Sequence, residues 1–197
     1  MSNVFSPFGF SPEGTVGGST PNFKLSTRKI ASTNNTAIFK GDAVMPVTGT
    51  STGYIMQYSA GTVATCGIFW GCKYLSVSQG KIVWSPYWSG SDANGDVTAY
   101  VIDDPQAQFL VQATTGPITL ANINQNITVT TGTGNTATGL SGMSVTGPTT
   151  TATLPFTIVG LMQDPAGTNG TDITTSYNLV IVTFNNEVFR AGYLATA

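Results

Sequence analysis

The sequence predicts an all-β protein: an antiparallel β-sandwich or β-barrel of about ten short strands, with an extended N-terminal arm. Three observations carry that prediction. Charged residues make up only 8% of the chain, against about 25% in ordinary soluble domains. Polarity comes instead from Thr, Ser and Asn, which solvate a β surface, whereas a helical surface needs Lys, Glu and Arg. Short β-rich runs alternate with turn residues from residue 36 onward, and the stretch Cys66–Gln112 reads as successive hairpins carrying most of the large aromatics.

With 197 residues the chain can bury the core of one full domain, or of two small ones. Hydrophobic content of 41% with a net charge of −2 excludes disorder of the weakly apolar, highly charged kind. The organisation expected is an arm over residues 1–25 and a single β domain over 26–197. The arm carries Phe5, Phe8, Phe10 and Phe23 among prolines and glycines, a composition that excludes a helix or a central strand. Four phenylalanines are out of place on a solvated tail, so the arm is expected to lay its rings on a neighbouring surface.

The β pattern begins at Ala37-Ile38-Phe39 and continues through Ala43–Val47 and Tyr54–Tyr58. Gly67–Val77 and Lys81–Trp88 follow as strands around the break Ser78-Gln79-Gly80. An Asn94-Gly95 turn, a strong hairpin signal, leads into Val97–Ile102. Asp103-Asp104-Pro105 breaks the chain again before Gln106–Gln112, where Phe109 and Val111 share one face and Gln108, Leu110 and Gln112 the other. The four strands read as a meander. From Thr114 to Thr153, fourteen of forty residues are threonine. Ile, Leu, Met and Val recurring through it predict ordered loops and small strands, including Pro117–Leu120 and Asn126–Thr130, as candidates for contact with another subunit. Thr153–Met162 is a strand that Pro155 places at an edge or a strand start. Tyr177–Phe184 is the most apolar run and is expected at the centre of a sheet.

Much chemistry is excluded. The chain has no histidine and two cysteines, which removes Ser-His and Cys-His catalysis and a structural zinc site. Cys66 and Cys72 lie about 20 Å apart if extended, too far for a disulfide, and read as reduced, partly buried thiols. Asp103 and Asp104 point to opposite faces of an extended chain and read as a turn opener. Asp92, Asn94, Asp96 and Asp103 match some positions of a calcium loop, but Val97 stands where that loop needs Gly. Gly132-Thr133-Gly134 precedes no helix, so it is not a phosphate loop. Asn34, Asn126 and Asn169 fit the glycosylation pattern, which carries no weight without a secretory signal, and no such signal is recognisable. No cofactor is expected. Lys24, Arg28, Lys29 and Lys40 cluster near the N-terminus, yet the overall balance opposes nucleic-acid binding; a solvated or acid-contacting segment is expected. No run of about 18 apolar residues exists to cross a membrane as a helix. Trp84, Tyr87 and Trp88 are candidates for a sugar-stacking platform or for subunit-interface packing.

The runs Gly67–Tyr74, Ser85–Trp88, Tyr100–Pro105 and Phe109–Gln112, with Thr138–Met143 and Ile158–Leu161, resemble a family of small structural proteins of tailed bacteriophages, the capsid decoration or cement proteins. The resemblance spans residues from about 38 to 184. It implies an all-β virion component with no enzymatic activity, commonly a homotrimer, on the outer surface of the capsid after synthesis in the bacterial cytoplasm. The partners implied are the major capsid protein and further copies of the chain, with the arm's Phe5, Phe8, Phe10 and Phe23 as capsid contacts. The alternative is a head-fibre or tail-fibre adhesin that binds host glycan through Trp84 and Trp88.

Overall fold

The structure, a computed structural model, describes residues 2–18, 25–49, 53–59, 64–162 and 171–188. The fold is all-β, with two six-stranded antiparallel sheets in a sandwich-like arrangement. Sheet A runs in the order β1 (Ser11–Thr15), β8 (Ala107–Gln112), β12 (Leu179–Phe184), β11 (Phe156–Leu161), β9 (Asn126–Thr130), β10 (Ser144–Thr149). Sheet B runs β2 (Ser26–Ile30), β7 (Val97–Ile102), β5 (Gly67–Leu75), β3 (Ala43–Pro46), β4 (Ile55–Gln57). A further strand, β6 (Ile82–Ser85), also pairs with β5. The nine-residue β5 gives one edge to β7; along the other, β3 pairs with Gly67 and Ile68 and β6 pairs with Cys72–Leu75.

The apolar run expected at a sheet centre is there: β12 lies between β8 and β11, and Val180, Val182 and Phe184 are fully buried. Pro155 immediately precedes β11, where its missing N–H costs the ladder nothing. The larger core joins Phe109, Val111, Ile127, Phe156, Ile158 and Val182 of sheet A to Ala43, Ile68 and Ile102 of sheet B. A smaller core lies against sheet B alone: Ile30, Val44, Phe69, Cys72, Val97, Ala99 and Val101 are roofed by Ile38 and Trp88 from the connecting segments.

Of the meander expected over Cys66–Gln112 the first hairpin, β5–β6, is formed, and the rest is not. β7 pairs with β5 and β2, not with β6, and β8 belongs to the other sheet. The chain crosses between sheets at Asp103–Gln106, where the Asp104 side chain accepts the Gln106 N–H at 2.9 Å and its carbonyl accepts the Ala107 N–H at 2.9 Å. In the threonine-rich stretch, Asn126–Thr130 is a strand as expected, but Pro117–Leu120 is not; Leu120–Asn122 forms a single 3-10 turn.

The N-terminal segment is extended but is not a separate arm, which corrects the boundary expected near residue 25. Ser11–Thr15 is an edge strand on β8, the sheet position its Pro and Gly permit. Phe10 is 1% exposed and stacks on Phe156 at 4.6 Å between ring centroids. Gly9, at φ +77°, makes this entry possible, since a Cβ there would meet the Gly41 carbonyl oxygen at 2.6 Å. Two buried amide side chains hold the preceding residues. Gln112 Nε2 donates to the Val4 and Tyr177 carbonyls at 2.9 and 3.0 Å, and its Oε1 accepts the Ser6 N–H at 2.8 Å. Asn3 Nδ2 donates to the Asp172 and Ser176 carbonyls at 2.8 and 3.0 Å.

Candidate binding face on sheet B

Strand alternation assigns sheet B two unlike faces. On β7, Val97, Ala99 and Val101 enter the smaller core, which puts Thr98, Tyr100 and Ile102 on the opposite face. On β5 the register shifts between Phe69 and Gly71. Beyond that bulge, Cys72 and Tyr74 pack with the smaller core, leaving Gly71, Lys73 and Leu75 on the same face as Tyr100. Cross-strand pairing then sets out rows of neighbours. Lys29, Thr98, Lys73 and Trp84 form one row across β2, β7, β5 and β6. Thr27, Tyr100 and Gly71 form the next, and Leu75 pairs with Ile82.

Sheet A covers this face only at one end, where Ile68 and Ile102 join the larger core. Among the described residues the other end is open. Trp84 is 59% exposed, Ile82 63%, Val77 65% and Leu75 40%, all on the β5–β6 hairpin. Isolated exposed apolar residues are ordinary, but four on one hairpin form a patch of the kind that marks an interaction surface. The Trp84 indole has a defined seat: it lies over Gly71, where an added Cβ would come within 2.8 Å of the indole Cζ2.

Three lysines stand on or beside this face. Lys73 is exposed on the face, Lys81 is exposed at the hairpin end, and Lys29 reaches along the face with its Nζ donating to Thr98 Oγ1 at 2.9 Å. No carboxylate occurs between Asp42 and Asp92 in the chain. The two nearest in sequence to the hairpin and β7 are already engaged. Asp92 accepts from Ser76 Oγ at 2.6 Å and the Ser78 N–H at 2.7 Å, and these bonds, the Ser76 hydroxyl foremost, hold its pKa below the ordinary carboxylate value. Asp96 accepts from the Tyr54 hydroxyl at 2.9 Å and the Ser32 N–H at 3.3 Å, and its hydrogen bond raises the Tyr54 pKa.

The residues singled out in the sequence are scattered. Trp88 is fully buried, with its indole N–H donated to the Asn34 carbonyl at 3.2 Å and its ring edge-on to Tyr74; it is a core residue, which corrects its place among glycan or interface candidates. Tyr87 is half-buried and stacks on Phe39 at 5.3 Å. Only Trp84 of the three stands open. Phe10 is likewise core and cannot be an arm contact. Phe5 is exposed and touches Tyr177 at 5.2 Å, Phe8 is half-buried, and Phe23 lies outside the described residues.

Sequence reasoning missed Trp70. Its ring lies beneath Lys40, whose Nζ is 3.8 Å from the ring centroid, and it lines a groove of about 250 Å³ with Ser11, Pro12, Leu25 and Ile102. That groove is smaller than typical ligand pockets and lacks converging polar groups. The signal in the sequence was Trp70 itself, the residue at which the β5 register shifts.

The carboxylates of the calcium-like spacing do not converge. Asp92 and Asp96 take the separate partners above, and Asp103 accepts from Ser26 Oγ at 2.7 Å and pairs with Arg28 at 2.8 Å. The basic N-terminal window is thus acid-contacting at Arg28. Among the described residues no group of three or more His, Cys, Asp or Glu could hold a metal ion. Cys66 and Cys72 are free and buried, and burial pushes both thiols up to about 12, so neither is an activated nucleophile. Asp42 and Glu187 are fully buried carboxylates; Asp42 accepts from the Phe39 N–H at 2.9 Å and Gln57 Nε2 at 2.7 Å, and burial raises its pKa despite these bonds.

Comparison with protein-family models, curated proteins and solved structures finds no match to this chain.

Proposed function

We propose that the chain is a virion structural protein, a capsid decoration protein that docks on the major capsid protein of a tailed bacteriophage and bridges its subunits. The observation that carries this reading is the open end of sheet B. An aromatic ring with a fixed seat, three aliphatic side chains on the same hairpin and the lysines among them make a protein-docking surface of large apolar groups mixed with cations. Burying each such side chain on a partner is worth about 1.5–3 kcal/mol before ordering costs. The N-terminal segment, once its residues 2–15 are assigned to the domain, is not the principal capsid anchor; Phe5 alone of its described rings is exposed enough to add a contact. A homotrimer on the outer capsid surface completes the proposal.

The adhesin reading keeps one supporting observation, the exposed Trp84 ring, and loses the second ring it needs because Trp88 is buried. Cryo-electron microscopy of the particle that carries the protein separates the two. Density over threefold or quasi-threefold positions of the shell, with the β5–β6 hairpin against capsid, is expected. Density confined to tail or projecting fibres would overturn the decoration reading.

A further inference from the structure

Resting on that reading, we infer that the open face of sheet B takes an acidic protein surface: an apolar hollow flanked by Asp or Glu on another polypeptide, and not a second copy of this face. Three independent features of the face select that occupant.

The first is charge. Lys73 and Lys81 stand on the β5–β6 hairpin itself and Lys29 in the cross-strand row of Lys73 and Trp84, whereas Asp92 and Asp96 lie outside the hairpin strands and turn their carboxylates to donors of the chain itself, Asp92 at the turn beyond β5. Two copies meeting through this face would bring the Lys73 and Lys81 hairpins of both to one desolvated centre, an arrangement that electrostatics disfavours. A carboxylate-bearing partner gains from every one of those lysines.

The second is the form of the strand edge. β6 has one edge on β5 and is bridged by no other strand among the described residues, so strand addition is the obvious competitor. Yet β6 is only four residues long, with Lys81 before it and Pro86 after it. Short length, a lysine and a proline are the devices by which edges resist added strands. The partner therefore seats on the face, against Trp84, and not along the edge.

The third is the balance of apolar to cationic groups. Leu75, Val77, Ile82 and Trp84 outnumber the lysines, and three of the four are aliphatic. A nucleic-acid platform needs rings for stacking and a denser cationic track; aliphatic side chains around one tryptophan suit the buried centre of a protein interface.

The test places a photo-reactive benzoylphenylalanine at position 77, on the exposed rim of the patch, in the full-length chain expressed in the cells that make it. Irradiation is followed by sequencing of the captured species. The expected result is a peptide of another protein with Asp or Glu beside apolar residues. Its yield should fall at least tenfold in a K73E/K81E double variant and recover when one captured carboxylate is changed to lysine. Because both lysines are exposed, that variant should keep the parental circular dichroism and melting temperature, which separates lost docking from lost folding. Capture of a second copy, of nucleic acid or glycan, of a peptide without carboxylates, or of nothing, would overturn the inference. The two readings fail separately. An acid-flanked peptide from a protein that is not a capsid subunit leaves the inference standing and removes the decoration reading. A capsid peptide lacking carboxylates does the reverse.

Discussion

The two ends of sheet B are built from the same strands with the same pairing and alternation, and they differ in what lies on them. At one end Ile68 and Ile102 vanish beneath sheet A. A few residues along the same two strands, and on the same face, Lys73 and Tyr100 have no such roof, and the hairpin beyond them shows Trp84 and Ile82 to solvent. The opposite face is closed under both, by Ile38 and Trp88. Alternation therefore tells which residues share a face, but not how far along it the second layer extends. An apolar residue beyond that limit is surplus to folding and available for docking.

The sharpest way to break this contrast is to treat the tryptophans alike. Trp88→Ala should cost about 3–5 kcal/mol of folding stability in urea unfolding, through the cavity and the orphaned Asn34 carbonyl. A cost near zero would mean that the smaller core does not depend on its roof. Phe10→Ala should destabilise by a similar amount, about 3–5 kcal/mol, since its ring sits among Phe109 and Phe156. Phe5→Ala should cost only about 0.5–1.5 kcal/mol, the worth of one aromatic contact. Equal losses for the two phenylalanines would restore a free arm.

Asp42 offers a subtler probe of the closed region. Its folded pKa is raised, so the folded state holds that proton more tightly than the unfolded chain does. The resulting stabilisation is fully present below the ordinary aspartate value and is lost as pH rises through the raised one. Asp42→Asn should flatten that decline in a comparison of melting temperature against pH, while other carboxylates act equally on both proteins. Parallel curves would show that Asp42 titrates normally. The smallest effect is expected at the open end: Trp84→Ala should change stability by no more than about 0.5 kcal/mol. A loss like that of Trp88 would make Trp84 a folding residue and remove the docking face.

Much of this architecture was legible beforehand. The low charge and hydroxyl-rich polarity spoke for β structure, the apolar run at 177–184 for a central strand, and Pro155 for a strand start. These are local matters of propensity and burial, which neighbouring residues express. Gln112 shows where local reading stopped. Its alternation put it on the polar face, yet it is buried because the N-terminal backbone comes from over a hundred residues away to use its amide. The same holds for Phe10, hidden among glycines and prolines that look like a tail. Trp84 and Trp88 lie in one short run, and nothing in that run says which is roofed.

The chain's own composition and periodicity thus determined that it would be β, where most strands would begin, and which residues would share a face. Tertiary structure alone decided that β8 would leave its neighbours for the other sheet, that the N-terminal segment would close an edge, and that one end of sheet B would stay open. Those outcomes depend on contacts between residues far apart in sequence, whose free energy is shared by both partners and written in neither.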